Sequence, residues 1–291
     1  MNETTKSHIL LHSVVAIFGF TGILGKLISI DAIPLVFWRT TIGGIVILLW
    51  LALRKNITKK SRSTILKMAG VGLLVAAHWI LFFASIKAST VSVALVMVAT
   101  TPMFVGLIEP IIFRRKLDWK ELFVSAIVIA GVSTIFNIST EYHLGMVLGI
   151  GSAFLAGLFA TLNGVLVKSY DASNISMIEL ISASIGTFLL LLCTGEFNSE
   201  LFLLSSIDWL WIGILAVVAT SFAFIASTSV MKVLTPFTTA IAINLEPVYA
   251  IILAVMFFGD EEVMGVEFYF GASLIIGAVI INTLLKREKA K

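Results

Sequence analysis

Charged residues are scarce in this chain. Only 13% of its 291 residues are Asp, Glu, Lys or Arg, whereas 59% are hydrophobic. Soluble domains carry roughly 25% charged residues, so this composition excludes an ordinary soluble protein. A mean hydropathy of +1.06 agrees and indicates a chain that lies mostly in a bilayer.

Cysteines are nearly absent, and the common catalytic motifs are missing. The single cysteine, Cys193, excludes an intramolecular disulfide and a thiolate metal cluster. The histidines, at positions 8, 12, 78 and 143, are too scattered to suggest a metal site. The chain also has no His-Glu-x-x-His pair, Gly-x-Ser-x-Gly elbow or phosphate-binding P-loop. We therefore expect no catalytic residues, no cofactor or metal ion, no nucleic-acid partner and no ATP-driven pump.

Long apolar runs fill most of the chain. A helix needs about 20 residues, at 1.5 Å each, to cross ~30 Å of hydrocarbon. With this length the sequence predicts an all-α polytopic membrane protein with ten transmembrane helices and short polar links. The first apolar run is predicted to be retained as a span, because it is too long for a signal-peptide core. The predicted spans are 8–27, 33–53, 65–86, 89–113, 119–137, 144–167, 176–194, 209–231, 235–258 and 266–285.

Basic residues are unevenly distributed among the links. If the N-terminus is inside, all of the 20 Lys and Arg residues except Lys26, Arg39 and Lys87 fall in or beside cytoplasmic segments. The outer links carry acidic residues instead, including the run Asp260-Glu261-Glu262. The positive-inside rule therefore predicts that both termini are cytoplasmic.

A weak internal repeat becomes visible when the chain is shifted by 145 residues. Because each half contains five predicted spans, an odd number, the second half must be inserted upside down. We therefore expect two five-helix inverted repeats, 1–140 and 141–291, with a substrate site near the midplane where they meet. The aligned pairs are Lys87 and Lys232, Thr90 and Thr235, Pro102 and Pro247, and Phe113 and Phe258.

One acid and two prolines lie near the middle of apolar spans. Pro102 and Pro247 are predicted to break their helices, since proline removes a hydrogen bond and frees a backbone carbonyl. Glu246 precedes the second proline, at a depth where a charge costs at least ~2.5–3.5 kcal/mol and is usually paired, hydrated or functional. We expect Glu246, with Asn244 and Tyr249 nearby, to carry a coupling proton or bind a substrate ammonium group. The alternative is that Glu246 braces the helix that the proline opens.

Other polar and aromatic residues within the spans are candidates for a binding site. His78 could relay a proton and Trp79 could stack on a cation or a ring, although a packed interior pair is an equal alternative. Asn163 could face a cavity, and we add Thr101 and Phe159 to the expected substrate-binding set.

Three charged residues are candidates for gates or ion pairs. Arg39 and Glu179 occupy related places near opposite faces, where they could act as outer and inner gates or pair with carboxylates such as Glu109. Alternatively, Arg39 extends toward the outer head groups. Glu109 can reach Arg114 or Lys116, which favours a structural contact.

Several short motifs together resemble the drug/metabolite transporter superfamily, in particular its ten-helix EamA-type carriers. The resemblance covers nearly the whole chain and implies export or exchange of small metabolites or amphipathic compounds. It also implies that spans 1, 3, 4, 6, 8 and 9 line a central cavity. The motifs are Gly19-x5-Gly25-Lys26, Pro34-x4-Arg39, Ala84-Ser85-Ile86-Lys87, Thr100-Thr101-Pro102, Leu245-Glu246-Pro247, Phe257-Phe258-Gly259-Asp260-Glu261 and Gly271-x5-Gly277.

The expected function is secondary transport of a small metabolite by alternating access, with export as the expected direction. An amino-acid-like or amphipathic substrate fits the polar and aromatic candidates, and protons are a candidate coupling ion. We expect a multi-pass protein of a bacterial inner membrane, as a monomer or homodimer. The alternatives are a phosphorylated-sugar or nucleotide-sugar exchanger, a channel and a membrane-embedded enzyme. The exchanger is disfavoured because no dense basic cluster lies at mid-depth.

Overall fold

The computed structural model describes residues 2–138, 140–243 and 245–287, and these residues form helices joined by short links, with no strand among them. Asn244, which is expected in the binding set, lies outside the described residues. The α-helices are α1 (Glu3–Leu27), α2 (Ala32–Leu53), α3 (Arg62–Ala88), α4 (Val91–Val98), α5 (Thr101–Ile112), α6 (Trp119–Ile138), α7 (His143–Leu166), α8 (Ala172–Thr194), α9 (Ser206–Ala216), α10 (Ala223–Val230), α11 (Pro236–Ile243), α12 (Glu246–Phe258) and α13 (Val266–Arg287).

Side chains at the helix starts explain several of these boundaries. The Oδ1 atom of Asn2 accepts a hydrogen bond from the backbone N–H of Thr5 at 2.8 Å, and Asp171 accepts from the first turn of α8 in the same way. Such caps satisfy N–H groups that have no partner within the helix. At the other end of α8, Gly195 adopts φ +76°, a left-handed conformation that favours glycine and ends the helix.

Seven helical segments in the described part of the chain are long and apolar enough to cross a membrane. They are α1, α2, α3, the α4–α5 segment, α7, α8 and the segment from α9 to α10. The other three predicted spans coincide with α6, with α11–α12 and with α13, which contain shorter apolar stretches or a break. The all-helical membrane class is therefore confirmed, whereas the number of ten spans and the cytoplasmic termini stay predictions.

Two of the predicted spans are each divided into two helices just before a proline. The first break separates α4 from α5, and the second separates α11 from α12. Each helix that follows a break has its proline at the first or second position, where the missing N–H costs nothing. Instead of kinking a continuous helix, Pro102 and Pro247 therefore lie just inside a new one. Both ends of α11 are 145 residues after those of α4, the same shift that relates the two halves in sequence.

The major packing contacts join the two halves of the chain. Helix α3 packs on α7 and α8, α2 packs on α8, and α6 packs on α13. Glycine permits the closest of these approaches, because a Cβ at Gly72 on α3 would collide with the backbone of Glu179 on α8. The largest buried apolar cluster lies where α1, α2, α3 and α4 meet α8, α9 and α12.

Candidate functional site

A cavity of about 130 Å³ lies where residues of the two halves meet. Its wall includes side chains from α1, α3, α4, α5, α7, α10, α11 and the first residue of α12. All six spans named from the family resemblance therefore contribute, and α2 adds Arg39, which that assignment did not include. The cavity lies beside both helix breaks, since Thr101 and Glu246 belong to its wall.

One side of the cavity is aromatic. The ring of Phe224 lies 5.7 Å from that of Trp79 and 6.3 Å from that of Phe159, and Phe159 lies 5.3 Å from the ring of His78 (all between ring centroids). These rings come from α3, α7 and α10, so the packing of three helices creates the surface. Such a surface can stack on an apolar group or on a cation.

Glu246 brings a carboxylate into this aromatic cavity. It is the first residue of α12, is 9% exposed and belongs to the cavity wall. Among the described residues its side chain makes no hydrogen bond or ion pair, so the alternative of a structural brace has no visible partner. The positive end of the α12 dipole favours an anion at this position. Thr101, the equivalent residue of α5, instead donates its hydroxyl to the carbonyl of Val98 at 2.7 Å.

The imidazole of His78 is held by α7. Its Nδ1 lies 2.9 Å from the carbonyl oxygen of Ser152 and 2.8 Å from the Ser152 hydroxyl, which also lies 3.0 Å from the carbonyl oxygen of His78. Nδ1 donates when it binds the carbonyl, which can only accept, and accepts when it binds the hydroxyl. In the described part of the structure Nε2 has no protein partner, which leaves it available to a ligand in the cavity.

Asn163 connects the cavity to a buried acid behind it. Its Nδ2 donates to Oε2 of Glu179 at 3.1 Å, while Oδ1 of Asn163 and Oε1 of Glu179 have no partner among the described residues. Asn163 belongs to the cavity wall and Glu179 does not. Glu179 is therefore a fully buried residue of the bundle interior rather than a group at one of its mouths.

Arg39 is also buried and lies in the cavity wall. Its Nε and Nη2 donate to the hydroxyl oxygen of Thr220 at 3.0 and 2.8 Å. The alternative in which Arg39 extends toward the head groups is therefore wrong, as is a pair with Glu109. Glu109 is buried instead at the end of α5, with Oε1 3.6 Å from Nε of Arg115. This contact resembles the expected structural one but uses Arg115 rather than Arg114 or Lys116.

Most of the expected binding residues lie together, and a few do not. His78, Trp79, Thr101, Phe159, Asn163 and Glu246 all belong to the cavity wall. Tyr249 does not: it is 54% exposed, and Gly19 of α1 lies against its Cβ. Pro102 is buried at the first break, and Pro247 lies in the first turn of α12.

Several wall residues had no distinctive sequence signal. Phe18, Phe82 and Phe224 look like any aromatic residue of an apolar span. Thr21 and Thr239 could have been noticed, because a hydroxyl in such a span needs a partner. Their Oγ1 atoms are buried without one in the described part of the chain.

Comparisons with known proteins identify the family. The model of the EamA-like transporter family matches residues 5–137 and again residues 143–284. The chain is 24% identical to an uncharacterized transporter of Bacillus subtilis, YxxF, over 99% of this chain and 93% of that protein. It is 23% identical to an uncharacterized transporter of Archaeoglobus fulgidus, over 98% of this chain and 99% of that one.

A solved crystal structure has the same fold. It superposes with a TM-score of 0.70 at 15% identity and covers 97% of this chain and 99% of its own. This likeness concerns the fold alone, whereas the two family matches account for nearly all of the sequence. The chain therefore belongs to the EamA-like transporter family of the drug/metabolite transporter superfamily, and is a multi-pass membrane transporter.

Proposed function

We propose that this transporter is a secondary carrier that exports small amphipathic metabolites, first among them amino-acid-like compounds, from a bacterial inner membrane. The proposed architecture has ten spans, both termini in the cytoplasm and two inverted repeats, 1–140 and 141–291. The equal bounds of α4 and α11 after a shift of 145 residues support this repeat. A mostly apolar cavity with a few polar groups is the usual form of a small-molecule site.

The observation that carries this proposal is the carboxylate of Glu246 in the cavity. An anion in an aromatic, mostly apolar site attracts a substrate ammonium group strongly, because the local dielectric is low. The same carboxylate can carry a proton from one side of the membrane to the other. Its position at a helix break between the two halves fits a site to which each side has access in turn.

The structure does not favour the phosphorylated-sugar exchanger. Phosphate groups are usually bound by several Arg or Lys side chains. Among the described residues of the cavity wall, Arg39 is the only Lys or Arg and His78 the only histidine. We therefore keep phosphorylated compounds as one arm of the test rather than as a second proposal.

Counterflow in proteoliposomes tests the proposal. A panel of labelled amino acids, amphipathic cations and sugar phosphates is compared between wild type and Glu246→Gln. We expect saturable exchange of at least one amino acid or amphipathic cation, and a loss of roughly tenfold or more in the variant, the size expected for a charge-assisted contact. Glu200→Gln, a substitution in an exposed link, is the matched control and should exchange normally.

A second measurement separates the two roles of Glu246. Counterflow needs substrate binding but no net proton movement, whereas uptake driven by a pH gradient needs both. If Glu246 binds the substrate, the variant loses both activities; if it only carries the proton, the variant loses gradient-driven uptake alone. Exchange of sugar phosphates only, or conduction without saturation, would contradict the proposed function.

A further inference from the structure

Arg39 is a buried cation without an anionic partner. It is 1% exposed, and its two hydrogen bonds both go to a neutral oxygen, Oγ1 of Thr220. A guanidinium group has five N–H donors. Nη1 has no hydrogen-bond partner in the described part of the chain, and no described carboxylate forms an ion pair with Arg39. A buried charge is normally paired, so this one needs an explanation.

The local fold holds Arg39 in this position. The segment Val217–Phe222 is a π-helical turn between α9 and α10. Within it the Thr220 hydroxyl donates to the carbonyl of Leu215 at 2.8 Å, which leaves its lone pairs for Arg39. One turn further along α2, Gly43 lets the two helices approach, since a Cβ there would lie 3.2 Å from the carbonyl oxygen of Ala216. Single π-helical turns are frequent at functional sites.

Aromatic rings pack against the guanidinium group, and of its three nitrogens only Nη1 has no hydrogen-bond partner in the described part of the chain. The central carbon of this group lies 3.9 Å from the ring centroid of Trp79 and 5.3 Å from that of Phe83. These contacts compensate only part of the cost of burial. The N–H bonds lie in the guanidinium plane, where a planar carboxylate can accept two of them. Arg39 and Trp79 both belong to the cavity wall, so a ligand that enters the cavity is a candidate acceptor.

The cavity wall therefore contains two charges of opposite sign that do not pair with each other. Arg39 supplies the cation and Glu246 the anion, and neither has a charged partner among the described residues. Glu179 is already hydrogen-bonded to Asn163. We propose that Arg39 binds the anionic group of the substrate, so that the cavity selects compounds with a carboxylate at one end and an ammonium group at the other. This inference rests on the proposed transport function and specifies its substrate class.

The test compares analogues of one substrate. The amino acid that exchanges fastest in the counterflow panel is competed with three unlabelled compounds: the same amino acid, its primary amide and its deaminated acid. The amide has nearly the same shape as the acid but no negative charge. We expect the amide to inhibit at least about tenfold more weakly than the amino acid in the wild type, as expected for loss of a charge-assisted contact.

Two variants locate this selectivity at Arg39. In Arg39→Gln the ratio between the inhibition constants of amide and amino acid should fall to about one, while Arg39→Lys should keep part of it because the charge remains. A purely structural role of Arg39 would lower the maximal rate without changing this ratio. Arg54→Gln, an exposed arginine at the other end of α2, is the matched control and should keep the wild-type ratio. Thermal unfolding of each purified variant shows whether it is folded.

The outcomes separate this inference from the function on which it rests. Exchange in which the wild type accepts amide and amino acid equally would overturn the role of Arg39 and leave the transporter intact. The role of Arg39 is also overturned if Arg39→Gln and Arg39→Lys are both folded and active and both retain the full wild-type ratio. If the wild type exchanges none of the amino acids, the proposed substrate class is wrong and the inference fails with it.

Discussion

The two ends of the helix bundle are held together by different kinds of contact. We call the end of α1, the start of α4 and the α12–α13 link the Lys26 end. There, Glu262 is 0% exposed and accepts hydrogen bonds from the backbone N–H groups of Val91 and Ser92 at 3.0 and 2.9 Å. It also forms an ion pair with Lys26 at 3.0 Å. One buried carboxylate of the second half thus holds two helices of the first.

A second buried carboxylate reinforces this end. Asp208, in the first turn of α9, accepts hydrogen bonds from the backbone N–H and from the hydroxyl of Ser29, both at 2.8 Å. Ser205 also donates its hydroxyl to Asp208 at 2.6 Å. Hydrogen bonds to a buried charged group are among the stronger contacts in proteins. The Lys26 end is therefore joined across the two halves by two buried carboxylates.

The opposite end, which we call the Lys168 end, comprises the end of α7, the start of α8 and the end of α10. Each of its two ion pairs among the described residues lies within one half. Lys232 and Asp171 are 3.8 Å apart and about half exposed, and Glu109 and Arg115 are 3.6 Å apart at the end of α5. The contacts between halves are of another kind: Asn174 accepts from the backbone N–H of Thr58 at 3.0 Å, and the ammonium group of Lys168 lies 4.6 Å from the ring of Phe113.

This difference indicates at which end of the bundle the two halves separate at the lower cost in free energy. Separating the halves at the Lys26 end would break an ion pair and hydrogen bonds to buried carboxylates, whereas the contacts between halves at the Lys168 end involve the neutral amide of Asn174 and a cation–π contact. In this structure the Lys26 end is therefore the more firmly closed of the two. With the predicted topology, that end faces outward.

The strongest test of this comparison removes the central carboxylate. Glu262→Ala leaves Lys26 and the start of α4 without their acceptor, and we expect a loss of roughly 3–5 kcal/mol in the free energy of unfolding, as for a broken buried ion pair. Thermal and denaturant unfolding followed by tryptophan fluorescence measures it. Glu261→Ala is the matched control, because Glu261 binds the same lysine but is 75% exposed. Equal stability of these two variants would refute the distinction between buried and exposed contacts.

A smaller effect is expected from the second carboxylate. Asp208→Ala should destabilise the closed Lys26 end by about 1–3 kcal/mol, because Ser29 loses its acceptor. A reporter thiol introduced by Ala160→Cys in a Cys193→Ser background lies in the cavity wall, and its reaction with an impermeant maleimide reports opening. We expect labelling from the outside to accelerate by about tenfold, since 1.4 kcal/mol corresponds to that factor. Unchanged outside labelling would count against a closed outer end.

The smallest effect is expected at the Lys168 end. Lys232→Ala removes one member of a half-exposed ion pair, for which about 0–1 kcal/mol is typical. Unfolding and outside labelling of the same reporter should therefore stay close to those of the background protein. A loss comparable to that of Glu262→Ala would show that a half-exposed ion pair stabilises the protein as much as a buried carboxylate, and would remove the basis of the comparison.

Much of the fold could be predicted because bilayer thickness and helix rise together set the length of a span. The second span is predicted at 33–53 and forms α2, Ala32–Leu53, and the sixth is predicted at 144–167 and forms α7, His143–Leu166. The helix breaks lie just before Pro102 and Pro247, since proline fits the first turn of a helix but not its interior. Six of the eight expected binding residues lie in one cavity wall, because polar and aromatic groups are conspicuous in apolar spans.

Other features depended on contacts between segments far apart in the chain. The sequence places Arg39 at a gate or near the head groups, yet a π-helical turn about 180 residues later accepts its hydrogen bonds. Glu262 belongs to an acidic run that the charge rule explains without reference to burial, but the start of α4 encloses it completely. Tyr249 shares a helix with Glu246, yet it is 54% exposed and does not belong to the cavity wall.

The sequence alone determined the membrane class, the family and the candidate central acid, since these follow from hydropathy, charge distribution and local motifs. Only the tertiary structure decided which charges are buried, which are paired and which meet in one cavity. The physical reason is that the energy of a charge in a membrane protein depends on its immediate partners. For Arg39, Glu246 and Glu262 the surrounding residues come from helices far away in the sequence.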